Sequence, residues 1–257
     1  MLKEISSASN QIIKDIKQLK NKSKRLETGK YIAEGENVVK EAIVYKSNEI
    51  ESIFVTEKFV GNVDSSSFNV YLVPDYIMQG ISDTKSPQGI LAVMKMHQSD
   101  FLEEACETVV YLDNVADPGN VGTIIRTADA AGIDMVILSP ECADAYSSKV
   151  IRATMGSCFH INIIKEAGYL QHLKLLLQNG YNAIAGSLQA TKSHYDTDLK
   201  SKSVICLGNE AHGLSDELMN LQGIVPVKIP IVGKAESLNV AIAGAVLMYE
   251  ALRQRGE

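Results

Sequence analysis

Short apolar runs alternate with helical segments over the second half of the chain, beginning near Thr108. This alternation is typical of a mostly parallel sheet with helices on both faces, because neighbouring parallel strands need a long crossover connection. The last helical segment carries no charge from Val240 to Tyr249, and a helix that is apolar all round must be buried on several sides. The sequence therefore predicts an α/β fold for this half of the chain.

Polar residues interrupt these apolar runs at three places. One run leads into Asn114, and a second leads into Gly208 and Glu210. The loop before the last helix carries Ser237 and Asn239, either of which can cap that helix through a side-chain oxygen. The carboxyl ends of parallel strands meet at one edge of an open sheet, so we expect these residues to lie together in a ligand site.

Turn residues set the expected limits of two elements. Pro118 and Gly119 form a turn signal. The next helix is therefore expected to start at Asn120 and to carry Arg126 about two turns in. Before the last helix, an apolar run predicts a strand over residues 227–231.

Basic residues are concentrated at the start of the chain. Residues 1–30 hold eight lysines and arginines against three acidic residues, whereas the whole chain has a net charge of −6. A negative net charge disfavours a protein that coats nucleic acid without specificity, since such binding neutralises phosphates. The basic leader fits either a local RNA contact or the solvated face of a helix whose apolar stripe includes Ile13 and Ile16.

Composition favours an intracellular, cytoplasmic protein. No run approaches the length of about 18 to 20 apolar residues that a membrane span needs, and the N-terminal stretch has no apolar signal core. The four cysteines are widely spaced without a C-x-x-C pair, so buried free thiols in a reducing compartment are expected. The histidines show no spacing typical of metal ligands, and no metal is predicted.

A smaller α/β unit precedes the parallel-sheet half. From Tyr31 to Met96, predicted helices alternate with short strands, and the polar segment 97–104 marks a boundary. We therefore expect a basic helical leader at 1–30, a small α/β domain at 31–97 and a larger domain at 105–257.

Three motifs in the larger domain carry a family resemblance. They read N-x-x-D-P-x-N-x-G-x-x-x-R-T-A from Asn114 to Ala128, L-G-N-E-x-x-G-L from Leu207 to Leu214, and I-P-I-x-G-x-x-x-S-L-N from Ile229 to Asn239. In this combination and order they resemble the motifs of the SpoU (TrmH-like) family of SPOUT methyltransferases. Members of that family transfer a methyl group from S-adenosylmethionine to a ribose 2′-hydroxyl of RNA.

The resemblance implies a fold and partners that the pattern alone does not predict. It implies that the sheet of residues 105–257 is threaded as a deep trefoil knot and that two copies pair through this domain as a homodimer. Residues 31–97 resemble the ribosomal-protein-like substrate-binding domain of many members, notably in YIAEGENVVKEAI and KSPQGILAVM. The implied cofactor is S-adenosylmethionine, and the implied partner is RNA, with ribosomal RNA favoured over transfer RNA.

Two functions from different classes follow. The resemblance implies an RNA (ribose-2′-O-)-methyltransferase that acts on structured RNA, and the alternative is a non-catalytic RNA-binding or ribosome-associated factor that retains the fold. The intact set of motif residues favours the enzyme. A third hypothesis, an α/β enzyme with another nucleotide cofactor, is disfavoured because neither G-x-G-x-x-G nor G-x-x-x-x-G-K-[ST] occurs.

The resemblance also implies catalytic roles for single residues. Arg126 is expected to lie near the target ribose and its phosphate. Because a guanidinium is a poor base, it is expected to make the 2′-hydroxyl more acidic or to steady the developing alkoxide. The alternative is a helix-surface arginine paired with an acid such as Asp129. Asn114 and Asn120 are expected to brace the catalytic loop and Arg126 through hydrogen bonds, and Glu210 either orients Arg126 or accepts a proton. Ser237 and Asn239 either contact the substrate or cap the last helix.

The cofactor is expected to bind in the loops at the strand ends. Gly208, Ile229 and Leu238 match the positions whose backbone groups hold S-adenosylmethionine in the family. The side chain of Leu207 is expected to enclose the adenine together with those of Ile229 and Leu238. Plain core packing at strand ends is the alternative role for these residues.

Overall fold

A computed structural model describes residues 2–96, 101, 106–166 and 168–256. The predicted boundary at 97–104 lies outside the described residues except for residue 101, and so does the predicted domain start at 105. The elements of the first part are β1 (Leu2–Glu4), α1 (Gln11–Gln18), α2 (Lys22–Thr28), β2 (Lys30–Glu34), α3 (Glu36–Tyr45), β3 (Ile50–Val55), β4 (Val70–Leu72), α4 (Asp75–Ile81) and β5 (Ile90–Lys95). Those of the second part are β6 (Thr108–Leu112), α5 (Pro118–Ala130), β7 (Met135–Leu138), α6 (Ser148–Thr154), β8 (Asn162–Lys165), α7 (Gln171–Gln178), β9 (Asn182–Gly186), β10 (Ser203–Leu207), α8 (Asp216–Met219), β11 (Ile224–Val227) and α9 (Val240–Arg255).

The chain divides into two compact units. The first consists of the described residues of 1–98 and 144–160, and the second consists of the described residues of 99–143 and 161–257. The segment 144–160, which lies within the predicted larger domain in sequence, thus packs in the first unit. The predicted leader at 1–30 is part of the same unit. The domain limits at 30, 97 and 105 stay a prediction.

The first unit is built on a mixed sheet in the order β1-β4-β3-β5-β2. Strands β1 and β3 pair in parallel with β4, whereas β5 runs antiparallel to β3 and β2. Ile53 and Val55 of β3 belong to one buried cluster, and Phe54 between them belongs to another. Because successive strand residues point to opposite faces, this sheet is covered on both sides.

Residues 144–160 complete the core of the first unit. Ile151 and Phe159 join the buried cluster that contains Tyr31. A buried ion pair joins Arg25 Nη2 to Asp144 Oδ2 at 2.6 Å, and Arg25 Nη1 also donates to two backbone carbonyls. Removing one partner of such a pair leaves an uncompensated buried charge, so the contact ties this segment firmly to the basic leader.

The described residues of the second unit form six parallel strands in the order β11-β9-β10-β6-β7-β8. The predicted mostly parallel sheet is therefore confirmed, and the trefoil knot stays a prediction. The last strand was predicted too late: it spans Ile224–Val227 rather than 227–231. Proline at 226 is tolerated there because β11 lies at the edge of the sheet.

Helices cover both faces of the parallel sheet, as the alternation predicted. Along β10, Cys206 packs in the cluster that contains Leu173 of α7. The next residue, Leu207, lies against α9, where a Cβ at Gly244 would be 2.7 Å from Leu207 Cδ1. Helix α9 also packs against α5 on this face. The small residue at Gly244 therefore lets α9 approach the end of β10 closely.

Helix α5 begins earlier than predicted, at Pro118 rather than at Asn120. Asp117 is its cap, and the Asp117 Oδ1 accepts a hydrogen bond from the Asn120 backbone N–H at 2.9 Å. Proline suits the first helical position because it has no N–H to satisfy there and its φ is preset. The side chain of Asn120 is therefore not used as a cap and projects from the first turn.

Neither a membrane-spanning helix nor a metal-binding group is found in the ranges that the structure describes. Within them, no helix is long and apolar enough to cross a membrane. In the same ranges, no group of three or more His, Cys, Asp or Glu side chains is arranged to hold a metal ion. The four cysteines all lie in these ranges, and none of them forms a disulfide. Their expected burial holds for Cys106, Cys142 and Cys206 but not for Cys158, which is partly exposed.

Candidate active site

A cavity of about 680 Å³ lies at the carboxyl edge of the parallel sheet in the second unit. Its volume is within the range of about 300–1,000 Å³ that is usual for small-molecule sites. Two of the three motif segments supply most of its wall, and α9 closes one side. The lining residues are Gly186–Gln189, Leu207–Leu214, Asp216, Met219, Val227, Ile229, Ile231, Ser237–Val240, Ala243 and Leu247.

The residues predicted to hold the cofactor, Leu207, Gly208, Ile229 and Leu238, all line this cavity. The need for glycine at 208 is steric, because a Cβ there would lie 2.3–2.5 Å from backbone atoms of the chain at 213 and 214. Real Cβ atoms do not approach backbone so closely, so any side chain would push this wall outward. Gly208 thus allows the loop to fold back onto the end of β10.

A closed turn over residues 209–213 forms one wall of the cavity. Asn209 and Gly213 exchange backbone hydrogen bonds of 2.8 and 2.9 Å. The Asn209 Oδ1 also accepts hydrogen bonds from the backbone N–H groups of Ala211 and His212, at 2.9 and 3.1 Å. Asn209 therefore holds the turn in a single shape through its side chain as well as its backbone.

The carboxylate of Glu210 joins this turn to the start of α5. Its Oε1 accepts hydrogen bonds from Asn120 Nδ2 at 2.8 Å and from the Asp117 N–H at 3.1 Å. Its Oε2 accepts a hydrogen bond from the Ala116 N–H at 3.2 Å. Glu210 was predicted either to orient Arg126 or to accept a proton, but among the described residues it does not bond to Arg126. The negative charge instead lies at the positive end of the α5 dipole.

Hydrogen bonding explains the acidity of Glu210. Partial burial acts to raise the pKa of Glu210, but hydrogen bonds from Asn120 and from backbone amides outweigh it and hold the pKa below its ordinary value of 4.5. The carboxylate is therefore charged at neutral pH and already engaged by donors, which makes it a poor proton acceptor. Of the two predicted roles, this geometry favours the positioning of neighbours over proton transfer.

Asn239 joins the same network from the other side. Its Oδ1 accepts hydrogen bonds from the N–H groups of Ala241 and Ile242, at 2.9 and 3.3 Å, and so caps α9. Its Nδ2 donates to Asn120 Oδ1 at 3.0 Å. The predicted capping role is confirmed for Asn239. The side chain also links the starts of α9 and α5, which capping alone does not require.

Asn114 and Ser237 occupy different positions relative to the cavity. Asn114 is not part of its wall, but its carbonyl accepts a hydrogen bond from Asn209 Nδ2 at 2.8 Å and its N–H donates to Ser139 Oγ at 2.9 Å. It adopts a left-handed φ of 58°, which asparagine tolerates. Ser237 lines the cavity and makes no hydrogen bond to another described residue. Asn114 thus joins β6 to the turn, whereas the Ser237 hydroxyl is available to a ligand.

Arg126 lies apart from the cavity wall, on the exposed face of α5. It shares this face with Thr123 and Ala130, which are also exposed and lie three or four residues away along the helix. Over the part of the chain that the structure describes, its guanidinium forms no hydrogen bond or ion pair. The structure therefore does not bring Arg126 together with Glu210, Ser237 and Asn239.

Part of the wall was missed by reasoning from sequence. Residues 186–189 follow β9 and line the cavity, although none of them was predicted as a site residue. The signal was present, because residues 186–189 follow an apolar run and the parallel strands β9 and β10 end at the same edge. Asn120 was predicted to brace the catalytic loop and Arg126 through hydrogen bonds. Its partners in the structure are Glu210 and Asn239, which were not predicted.

Two family models match the chain. The model of the SpoU rRNA Methylase family covers residues 107–249, which is more than half of the chain and includes all three motifs. The model of the MRM3-like substrate binding domain covers residues 10–92. Both matches agree with the resemblance predicted from the motifs.

Similar proteins match over nearly the whole chain. The chain is 33% identical to the 23S rRNA (guanosine(2553)-2′-O)-methyltransferase RlmP of Bacillus subtilis (strain 168), over 96% of this chain and 98% of that protein. It is 35% identical to an AdoMet-bound rRNA methyltransferase from Sinorhizobium meliloti, whose crystal structure gives a TM-score of 0.85 and covers 98% of both chains. An RNA 2′-O ribose methyltransferase of known structure gives a TM-score of 0.83 at 27% identity, over 99% of this chain and 100% of that chain. On these matches, the chain belongs to the SpoU rRNA Methylase family.

Proposed function

We propose that the protein transfers the methyl group of S-adenosylmethionine to a ribose 2′-hydroxyl of ribosomal RNA. The observation that carries this proposal is the cavity at the carboxyl edge of the sheet, where the second and third motifs meet beside a hydrogen-bonded Glu210. Family membership and the ribosomal RNA named for the Bacillus subtilis relative support the substrate class. Transfer RNA is the second substrate to test.

The cavity fits the cofactor in size and in the character of its wall. Leu207, Ile229 and Leu238 offer apolar surface for an adenine, and Gly208 lines the same wall. The Ser237 hydroxyl and the Asn239 side chain supply polar groups at the same wall. When bound, S-adenosylmethionine supplies a methyl group that its sulfonium sulfur has already activated.

Arg126 is proposed to act on the RNA rather than on the cofactor. Its guanidinium is exposed and has no partner among the described residues, so it is available to a phosphate or to a 2′-oxygen. A guanidinium stays protonated in proteins, so it steadies the charge that develops on the oxygen instead of removing the proton. Glu210, Asn120 and Asn239 are proposed to fix the start of α5, the helix that carries Arg126.

A homodimer is proposed from the exposed face of α9. Ile242 and Tyr249 are 53% and 49% exposed, and Val246 lies between them on the same face at helical spacing. Helix α9 itself packs against α5. A second copy of the chain would cover it, as the resemblance implies. The cytoplasm is the proposed location, since ribosomal RNA is the proposed substrate.

The test is transfer of labelled methyl from S-adenosylmethionine to RNA from cells that lack the protein, followed by nucleoside analysis and mapping. Label in a single 2′-O-methylated nucleoside of ribosomal RNA is the expected result. Label in transfer RNA alone would correct the substrate. Binding of S-adenosylmethionine with no transfer to any RNA, including RNA within ribosome assembly intermediates, would overturn the catalytic proposal in favour of a non-catalytic RNA-binding factor.

A further inference from the structure

Asp113 is a buried carboxylate that the proposed chemistry does not use. It directly follows β6, and none of its surface is exposed. Its backbone N–H donates to the Leu207 carbonyl at 2.8 Å, which extends the pairing of β6 with β10 by one residue. Asp113 therefore lies at the carboxyl edge of the sheet, beside the point where the cavity wall begins.

Two donors from separate segments meet at this carboxylate. Asp113 Oδ2 accepts a hydrogen bond from the Ser215 N–H at 2.7 Å, and Oδ1 accepts one from the Tyr169 hydroxyl at 2.8 Å. The Tyr169 hydroxyl also contacts Ser215 Oγ. Burial raises the pKa of Tyr169 to about 12, with the contact to Ser215 opposing the rise and Asp113 adding to it. The tyrosine therefore keeps its proton as a donor at neutral pH.

Ser215 lies between the 209–213 turn and the start of α8. Its Oγ accepts a hydrogen bond from the Leu218 N–H at 3.3 Å and caps this short helix. It follows Gly213 and Leu214, whose backbone approaches Gly208 so closely that no side chain fits there. The wall from 208 to 214 is thus attached by β10 at its entry and by Asp113 at its exit.

A second buried carboxylate fixes the position of Tyr169. Glu166 is 3% exposed and accepts hydrogen bonds from the Leu170 and His172 N–H groups at 3.0 and 2.7 Å. It also accepts one from the Tyr111 hydroxyl at 2.6 Å. Leu170 has a left-handed φ of 61°, a strained conformation for leucine that these hydrogen bonds stabilise. The backbone next to Tyr169 is therefore held independently of Asp113.

We propose that Asp113 is a positioning residue for the binding of S-adenosylmethionine. It holds the exit of the 209–213 turn through Ser215 and Tyr169, and so it sets the shape of the cavity wall at Gly208. Asp113 does not touch the reacting atoms. The inference rests on the proposed function, because it explains how the cofactor cavity of that function keeps its shape.

Two tyrosines of the second unit provide a matched test. Tyr169 donates to Asp113 at 2.8 Å, and Tyr181 donates to the buried Cys106 carbonyl at 2.6 Å. Replacement by phenylalanine removes the same hydroxyl at both positions, but the Tyr181 hydroxyl donates to the Cys106 carbonyl and not to Asp113. Isothermal titration with S-adenosylmethionine is expected to give a Kd about fivefold higher for Tyr169→Phe, the loss of one hydrogen bond to a carboxylate. The Kd of Tyr181→Phe is expected to be unchanged.

Substitution of Asp113 itself should raise the Kd for S-adenosylmethionine more than Tyr169→Phe does. Asp113→Ala leaves the Ser215 N–H and the Tyr169 hydroxyl without their acceptor, and a rise in Kd of about tenfold or more is expected. Asp113→Asn keeps one acceptor oxygen and is expected to recover part of the affinity. In transfer assays, the KM for S-adenosylmethionine should rise while kcat at saturating cofactor stays unchanged. If Asp113→Ala does not fold, Tyr169→Phe and Asp113→Asn still decide the question.

Unchanged Kd values for Tyr169→Phe and Asp113→Asn would overturn the inference and leave the proposed function intact. A fall in kcat at constant KM would also overturn it, because general destabilisation reduces the active fraction without changing the cavity wall. Failure of the unaltered protein to bind S-adenosylmethionine is a separate result. It would overturn the proposed function, and this inference with it.

Discussion

The surroundings of Glu210 and those of Arg126 differ sharply, although both residues belong to the motifs. The Glu210 carboxylate accepts three hydrogen bonds, and Asn120 passes the network on to Asn239. Arg126 is exposed on α5 and has no partner within the described ranges. The network around Glu210 is therefore held by the protein's own residues, whereas Arg126 presents its charge to solvent. This difference fits two separate roles, in which the Glu210 network shapes the site and Arg126 binds RNA.

Loss of Arg126 is expected to have the largest effect on methyl transfer. For Arg126→Ala, the single-turnover rate should fall about 100-fold or more, as when a donor to a developing oxyanion is removed. The Kd for S-adenosylmethionine, measured by titration, should not change, because Arg126 does not line the cavity. Arg126→Lys keeps the charge without the planar fork and should retain part of the activity. A fully active Arg126→Ala protein would remove this residue from the proposed mechanism.

Two glycines of the cavity wall provide the next test, which concerns the wall and not Arg126. A Cβ at Gly208 would lie 2.3 Å from Gly213 C, whereas a Cβ at Gly186 would come no closer than 3.7 Å to Leu247 Cδ1. Overpacking at Gly208→Ala should displace the wall and weaken S-adenosylmethionine binding by about tenfold or more. Gly186→Ala adds the same methyl group without overpacking and should weaken binding much less. Equal affinities for the two variants would show that the wall at Gly208 is not needed to hold the cofactor.

Neutralising Glu210 should have a smaller effect than Arg126→Ala or Gly208→Ala. Glu210→Gln preserves the size of the side chain but places an NH₂ group against donors that now face a carboxylate. We expect the transfer rate to fall about tenfold, because α5 is held less firmly at its start. Glu236→Gln is the matched control, since Glu236 is an exposed residue of the same motif loop as Ser237 and does not line the cavity. A normal rate for Glu210→Gln would mean that the network does not support catalysis.

The smallest expected effect is on the pH dependence of stability. Because the folded-state pKa of Glu210 is lowered from 4.5, its contribution to stability is fully present above pH 4.5 and is lost as the pH falls through the folded-state value. The free energy of unfolding of the unaltered protein should therefore exceed that of Glu210→Gln by a constant amount near neutral pH. The difference should shrink on acidification, as measured by denaturant unfolding. A difference that grows with acid would contradict the assigned sign of the pKa shift.

Much of the fold and of the cavity could be predicted from sequence. The period of the apolar runs identified the parallel sheet, and the motif residues Leu207, Gly208, Ile229 and Leu238 do meet in one cavity. These predictions succeeded because strand ends at one edge converge whatever the details of packing. The limits of α5 and β11 were wrong because Pro118 starts a helix and Pro226 is tolerated in an edge strand.

Contacts between distant segments could not be predicted in the same way. The partners in the Asp113–Ser215 hydrogen bond lie 102 residues apart, and those in the Asn120–Glu210 bond lie 90 apart. Hydrophobic periodicity says which face of an element is buried, but it does not say what covers that face. For the same reason, the pattern within 144–160 gave no sign that this segment packs in the first unit.

The most direct measurement is the single-turnover rate of methyl transfer to ribosomal RNA for Gly208→Ala and Arg126→Ala at increasing S-adenosylmethionine concentration. If the wall at Gly208 holds the cofactor and Arg126 acts on the RNA, excess cofactor restores the Gly208→Ala rate to within about threefold of normal. The same excess leaves the Arg126→Ala rate low. Recovery of the Arg126→Ala rate at high cofactor, or a Gly208→Ala rate that stays low at saturation, would contradict this division between the two regions.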